Sequence, residues 1–157
     1  MAEVPYMERT RAWYAAQGYE RPYQWAHFDD VPFTRLSKPL SECRVAVVTT
    51  AARYDDEDRP VLPKTVYSHP SDDPPARFFT DDLAWDREAT HLDDLGSFLP
   101  LVALRALAEK GRIGSLAPRF HGVPTEYSQR RTIEIDAPDV LAGVREDGAD
   151  VVLLVPL

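Results

Sequence analysis

The sequence predicts an α/β domain with a parallel sheet and helical crossovers, and three observations lead to this fold class. Val151 to Val155 is a continuous run of β-branched and Leu residues, which is typical of a parallel strand buried on both faces. Arg44 to Thr50 is a similar run near the start of the chain. Two amphipathic helical segments lie between these runs, and the order strand, strand, helix, helix, strand favours a Rossmann-like sheet. Only about three strands are visible, which is few for a free-standing doubly wound domain.

Composition bounds the class of protein. The chain has 157 residues, of which 44% are hydrophobic and 28% charged, and this suits one globular core. A net charge of −8 argues against nucleic-acid binding, which needs a basic surface. No apolar run approaches the roughly 20 residues of a membrane span. The charged N-terminus lacks the apolar segment of a signal peptide. We therefore expect a cytoplasmic protein with no nucleic-acid or membrane partner.

Residues 1–40 are predicted to form an aromatic N-terminal arm, ahead of an α/β domain over residues 41–157. Met7 to Gln17 favours a short helix that Gly18 ends. We expect the aromatic side chains to cover a sheet edge, in preference to forming a ligand site. Cys43 is the only cysteine, so the chain has no internal disulfide, and its place at the entry of a strand favours a buried, inert thiol.

The middle of the chain alternates between loops and regular elements. Residues 53–64 are predicted to be an acidic loop, Thr65 to His69 a second short strand, and residues 70–98 a long loop. Leu101, Leu104, Leu107 and Ala108 share one face of a helix that Gly111 ends. Residues 112–131 are predicted to be a second ordered loop.

The last helix is predicted to begin at Asp136 and to end at Gly148. Asp136 has the residue type of an N-cap, and Pro138 suits the first turn. Val140, Leu141 and Val144 form the expected buried face. The final strand follows directly. The turn after the first strand, Thr49 to Ala52, has no GxGxxG pattern, so dinucleotide binding has no support there.

Histidines in the predicted loops suggest a possible metal site. His69, His91 and His121 lie near carboxylates, among them Asp93 and Asp94, and such a set could leave an open coordination position. Their spacing matches no helix-borne metal motif. The favoured interpretation is that each histidine binds loop backbone by hydrogen bonds, so no metal ligand is assigned.

A second polar cluster, "EYSQRR", contains Tyr127, Gln129, Arg130 and Arg131. Adjacent arginines could hold a carboxylate substrate through paired donors, or they could pair with the many aspartates, and the sequence leaves both open. No GxSxG elbow occurs and no Ser–His pair can be inferred from spacing, so hydrolase chemistry is unsupported.

The candidate substrate-binding residues are collected from these loops. If they form one pocket, they should converge at the carboxyl edge of the sheet, near Thr49 and Leu157, because ligands of open α/β sheets bind there. The set consists of His69, Asp93, Asp94, His121, Tyr127 and Arg130.

Several stretches, in order, resemble one known family. They are "CRVAVVTTA", "YSHPSDD", "HLDDLGSFLPLVALRALAEKGRIGSLAPRF" and "REDGADVVLLVPL", and they span about residues 36–157. The chain resembles the glycine/sarcosine/betaine reductase selenoprotein B family. "GVPTEYSQRR" makes it most similar to the D-proline-reductase-like branch.

The resemblance implies a reductase component that cleaves a C–N bond of a small amino acid or amine such as glycine, betaine, sarcosine or D-proline, with a dithiol as electron donor. It implies a selenocysteine or cysteine redox motif immediately after Leu157, followed by further strands and helices that complete the sheet. We therefore expect this chain to be only the N-terminal part of the full domain and to stop at a UGA codon. We also expect it to hold no catalytic residue and to be inactive alone. A short natural paralogue is the rival explanation. A partner reductase subunit with a pyruvoyl group is typical of the D-proline system.

The chain also departs from the family. It has no selenocysteine and no CxxC, and Leu101 stands where the family usually has an acidic residue. Two alternatives from other classes remain: a non-catalytic assembly module and a loop-histidine metalloenzyme. We expect a homo-oligomer, because a sheet with an uncovered edge favours pairing with another chain.

Overall fold

The computed structural model describes residues 4–21, 26–55, 57–61, 64–80, 88, 91–125 and 128–157. The chain forms two compact units, residues 1–34 and residues 35–157. The first unit contains helix α1, Tyr6–Ala16, which ends before Gly18 at a φ of 84°. This confirms the predicted N-terminal helix. The ring of Tyr14 contacts those of Trp13 and Tyr19 edge to face. The role of the aromatic residues as a cover for a sheet edge stays a prediction.

The second unit is built on a mixed sheet around strand β1, Arg44–Thr49. Strand β8, Val151–Val155, pairs with β1 in parallel along its whole length. The short strands β6, Ser115–Leu116, and β7, Arg119–Gly122, pair in parallel with the two halves of β1. Carbonyl groups along a strand point alternately to its two edges. The Val45 carbonyl accepts from the chain beside β6, whereas that of Arg44 accepts from the segment before β8. The order in space is therefore β7, β1, β8.

The remaining strands are antiparallel. Strand β4, Tyr67–Pro70, pairs with the outer edge of β7. A separate small sheet joins β2, Ala52–Tyr54, to β3, Pro60–Val61, and to β5, Phe78–Phe79. The expectation of loops over residues 53–64 and 112–131 is therefore wrong, because these stretches contain β2, β3, β6 and β7. The second predicted strand exists, shifted to Tyr67–Pro70, but it is antiparallel.

The helices after the small sheet follow the sequence pattern more closely. One 3₁₀ turn precedes β1, Leu40–Glu42, and another, Leu95–Ser97, precedes α2. Helix α2, Leu101–Glu109, buries Leu101 and Leu104 and leaves Leu107 partly exposed. Gly111 ends it at a φ of 64°.

The last helical segment begins earlier than predicted. Helix α3, Gln129–Arg131, continues through a π turn, Thr132–Asp136, into helix α4, Ala137–Glu146. Ser128 is the N-cap, since its hydroxyl accepts from the N–H of Arg131. Asp136 has helical backbone angles and caps nothing, so its predicted role as N-cap is wrong. Gly148, at a φ of 65°, ends the segment as expected.

Helices α2 and α4 pack on opposite faces of the sheet. Val45 and Val47 of β1 belong to a core cluster with Leu101 and Leu104 of α2. The neighbouring residues Ala46 and Val48 lie in a second cluster with Val144 of α4. Because successive side chains of a strand point to opposite faces, α2 and α4 cover different sides of β1.

Strand β8 differs from its prediction in burial. Its residue range is confirmed, but Val152, Leu153 and Leu154 are exposed, the last to 70%. Among the described strands β8 pairs only with β1, so it is an edge strand whose outer side no described element covers. The expectation of burial on both faces is therefore wrong. In the described residues no helix is both long and apolar enough to cross a membrane.

Candidate functional site

A cavity of about 420 Å³ lies on the α4 face, at the carboxyl ends of β1 and β8. The polypeptide runs from β1 to β7 on one side and then crosses back to β8 on the other. In open α/β sheets ligands bind where the strand order reverses in this way, outside the carboxyl ends of the strands. The lining is mostly apolar and includes Val48, Val140, Leu141, Val144, Val152 and Leu154.

The apolar lining follows from strand alternation and helix periodicity. Leu154 pairs with Val48, so both side chains point to the α4 face. Val140, Leu141 and Val144 occupy the facing stripe of α4. Because no described helix covers β8 on this face, Leu141 and Leu154 remain partly exposed at the mouth of the cavity.

One lining residue is charged. Asp136, at the end of the π turn, is 3% exposed, and its Oδ1 accepts no hydrogen bond from any described residue. Its Oδ2 lies 3.7 Å from Nε of Arg131, an ion pair too long for a hydrogen bond. Single π turns occur frequently at functional sites. The cavity thus combines an apolar wall with one buried carboxylate.

Two threonines order the carboxyl edge beside the cavity. The N–H of Leu157 donates to Oγ1 of Thr50 at 2.8 Å. Oγ1 of Thr49 accepts from the N–H of Ala51 at 3.3 Å. The hydroxyl groups therefore fix the turn after β1 against the residues that follow β8. This places Thr50 and Leu157 at the same edge of the sheet, as a parallel pairing requires.

A second polar arrangement connects β4, β7 and the end of α4. Oγ of Ser68 lies 2.9 Å from Nδ1 of His121, and Nε2 of His121 lies 2.9 Å from Oδ2 of Asp147. His121 is completely buried, and Gly143 of α4 packs so closely on its ring that a Cβ there would lie 2.7 Å from Cε1. Asp147 also accepts from Nε of Arg119 at 2.7 Å.

This chain of hydrogen bonds has the order serine, histidine, carboxylate found in serine hydrolases. Two features give it a structural role instead. Asp147 also forms an ion pair with Arg119, so its carboxylate is shared between His121 and a second side chain. Neither Ser68 nor His121 lines the cavity at the carboxyl edge. We therefore assign the network to fastening β4 and β7 to α4.

The predicted substrate residues are spread over the unit. Ser68 and His121 are directly paired across β4 and β7, so His69 points to the opposite face, where its ring stacks on Phe120. Asp94 caps the 3₁₀ turn by accepting from the N–H of Gly96. None of these residues lines the cavity.

The other members of that set lie elsewhere. Asp93 is exposed and lies 3.6 Å from the exposed ring of His91. Arg130 is exposed on α3, and Tyr127 lies outside the described residues. The structure does not bring the described members of the set together at the carboxyl edge.

The described residues bear on two further hypotheses, the histidine metal site and the binding of a substrate carboxylate by the adjacent arginines. Within them no group of three or more His, Cys, Asp or Glu side chains is placed to hold a metal ion. In the "EYSQRR" stretch, Arg131 pairs with Asp136 and donates to the Lys64 carbonyl. For Arg131 the structure therefore shows pairing with an aspartate, the second of the two roles considered for these arginines.

The single thiol lies away from the cavity. Cys43 is completely buried, and its Sγ lies 3.3 Å from the carbonyl oxygen of Pro39. This confirms the predicted buried thiol. At about 3.3 Å per residue, β1 separates Cys43 from the carboxyl edge by about 20 Å. Cys43 therefore cannot reach a ligand in the cavity.

Comparisons with known proteins identify no relative. No family model, curated protein or solved structure matches the chain.

Proposed function

We propose that the chain is the selenoprotein B-type component of a reductase that cleaves a C–N bond of a small amino acid or amine. The support is twofold. The ordered stretches from "CRVAVVTTA" to "REDGADVVLLVPL" resemble that family. The cavity at the β1–β8 edge has the position at which an open, Rossmann-like sheet binds its ligand. The cavity is the observation that carries the proposal, because it provides a place for a small substrate.

The redox group of this reaction has to come from outside residues 1–157. Reductive cleavage by a dithiol needs a nucleophilic thiolate or selenolate and a second thiol that resolves the covalent intermediate. The chain has one thiol, Cys43, and it is buried at the edge of the sheet opposite to the cavity. In the proposed reaction the dithiol is oxidised to a disulfide. Its two electrons and two protons go to the carbon and the nitrogen of the broken bond. A pyruvoyl group, where used, belongs to a partner subunit.

The experiment compares two forms of the chain in the presence of a candidate partner subunit and a dithiol. One form ends at Leu157, and the other is extended by a motif with Cys or selenocysteine at the first added position and a second Cys two residues later. We expect only the extended form to convert glycine, sarcosine, betaine or D-proline, as measured by mass spectrometry. Cys43→Ala in the extended form is the control and should leave the rate unchanged. Equal rates from the two forms, no conversion by the extended form, or loss of activity in Cys43→Ala would each contradict the proposal.

One observation favours the second candidate, a non-catalytic assembly module. The outer edge of β8 is unpaired among the described strands and carries Val152, Leu153 and Leu154. Exposed apolar edge strands tend to pair with another chain. On this proposal a second copy pairs with β8, and light scattering at micromolar concentration gives a dimer or larger assembly. Leu153→Lys should lower the measured mass, whereas a wild-type monomer would contradict the module.

A further inference from the structure

The buried carboxylate of Asp136 is only partly satisfied within the described residues. A buried carboxylate oxygen without a donor costs free energy, and native proteins pair nearly all such atoms. Oδ1 of Asp136 has no donor, and the residue lies in the wall of the cavity at the carboxyl edge. Its position in a π turn adds a second irregularity at the same place. Together these features indicate that a donor from a ligand completes the site.

The charge balance favours a cationic donor. Among the described residues, Arg131 forms an ion pair with Asp136, with its Nε 3.7 Å from Oδ2, and it makes no hydrogen bond to Oδ1. The carboxylate of Asp136 is almost completely buried, so the ion pair leaves Oδ1 without a donor in a place that water does not reach. An N–H group that carries a positive charge would supply the missing donor and add to the charge compensation from Arg131.

We propose that the cavity binds a primary or secondary ammonium group on an apolar body, with Asp136 as the hydrogen-bond acceptor. The apolar body packs against Leu141, Val152 and Leu154, which line the cavity and are partly exposed. A quaternary ammonium fits poorly because it has no N–H to donate. This inference concerns the cavity of residues 1–157 alone and does not depend on the reductase proposal; an amino-acid substrate of the reductase would need a cationic partner for its carboxylate from outside these residues.

The lining also argues against an amino acid as the preferred ligand. The cavity has threonines and one aspartate as its polar lining, with no Lys, Arg or His among its described residues. A ligand carboxylate would therefore be desolvated without a cationic partner and would lie near the carboxylate of Asp136. The site favours an amine without a carboxylate.

The experiment measures the affinity of the wild-type chain for four matched probes by calorimetry. They are 3-methylbutylamine, 3-methylbutan-1-ol, (3-methylbutyl)trimethylammonium and leucine, which is the same amine with an added carboxylate. Because hydrogen bonds to charged groups contribute about 1.5–3 kcal/mol, we expect the amine to bind about tenfold to a hundredfold more tightly than the other three. Equal affinity for the amine and any other probe, or no measurable binding of the amine, would overturn the proposal.

Two substitutions then locate the effect. Asp136→Asn removes the charge and should abolish the preference for the amine over the alcohol. Asp139→Asn removes an exposed carboxylate from the same helix and should leave the preference unchanged. A preference that survives in Asp136→Asn would overturn the assignment. If Asp136→Asn does not fold, the wild-type ranking of the four probes decides. Amine binding by the 157-residue chain, together with no conversion by the extended form, would reject the proposed function and leave this site intact.

Discussion

Each face of the sheet is covered by one helix, but the two faces differ in how completely their apolar side chains are packed. On the α2 face, Phe98 and Phe120 join Leu101 and Leu104 in a closed apolar core. On the α4 face the corresponding cluster is small, and beside it α4 and β8 leave an apolar cavity that holds a buried carboxylate. The first face is built for stability. On the α4 face, apolar side chains stay partly exposed at the edge of the sheet where ligands bind. This is the pattern expected of a functional site.

A further contrast exists within the α4 face. Toward β7, the space under α4 is filled by the buried ring of His121 and its partner Asp147. Toward β8, the space is the open cavity, and the only charged group in its described lining is Asp136. Both carboxylates are buried, but only that of Asp147 has its hydrogen bonds satisfied. The satisfied carboxylate of Asp147 holds elements together, whereas that of Asp136 is the acceptor in the proposed amine site.

The largest expected effect comes from breaking the closed part of the α4 face. Asp147→Ala removes the common partner of His121 and Arg119, and we expect the free energy of unfolding to fall by about 2–3 kcal/mol, because Nε2 of the buried His121 loses its partner and Arg119 keeps only Glu146. Asp150→Ala is the control. Its ion pair with Lys38 at 2.8 Å and its hydrogen bond from the Arg44 N–H lie near the surface, so the loss should be much smaller. Urea denaturation measures both, and equal losses would contradict the structural role of the network.

The same network tests the distinction from a hydrolase. Ser68→Ala removes one hydrogen bond and should cost about 1 kcal/mol. A fluorophosphonate probe should not label Ser68 in the wild-type chain. Stoichiometric labelling, detected by mass spectrometry and absent in Ser68→Ala, would show that Ser68 is an activated nucleophile.

Alanine substitutions of one leucine on α2 and one on α4 compare how tightly the two helices are packed. Leu104 on α2 is buried, whereas Leu141 on α4 is 46% exposed at the cavity. Leu104→Ala should lower the free energy of unfolding by about 2–5 kcal/mol, and Leu141→Ala by less than about 1 kcal/mol. Thermal or urea unfolding of the two variants gives the comparison. Similar losses would mean that the α4 face is as closed as the α2 face.

The pH dependence of the free energy of unfolding tests whether the phenol of Tyr67 is buried against the α2 face. Burial raises the pKa of its phenol to about 12, and the hydroxyl donates to the Ala51 carbonyl at 2.6 Å. The folded pKa lies above the usual value of 10.0, so the contribution is complete below pH 10 and is lost as the pH rises toward 12. The loss is on the order of 2 kcal/mol. Tyr67→Phe should flatten this part of the profile, and an unchanged profile would contradict burial of the phenol.

Elements with long patterns could be predicted from the sequence. β1, α2 and β8 have apolar runs or helical periodicity over five residues or more, and their bounds agree with the structure. β6 and β7 were not predictable, because they are short and Pro118 separates them. Their burial depends on β1, which lies about 70 residues earlier. The exposure of β8 was missed for a related reason, since a residue pattern does not say what packs on it.

The site was less accessible to sequence reasoning than the fold. Asp136 has the residue type and spacing of an N-cap, and only the π turn shows that it lies inside a helical segment. The pairing of Ser68 with His121 depends on cross-strand register between residues 53 positions apart. The one usable signal was the position of Thr50 and Leu157 after parallel strands, which predicted the edge where the cavity lies.

The most direct test of the contrast between the two faces is a methyl NMR titration of the 157-residue chain with 3-methylbutylamine. The account predicts concentration-dependent shifts in the methyl signals of Leu141, Val152 and Leu154 and none in those of Leu101 and Leu104. Shifts centred on the α2 face, or equal shifts on both faces, would contradict it.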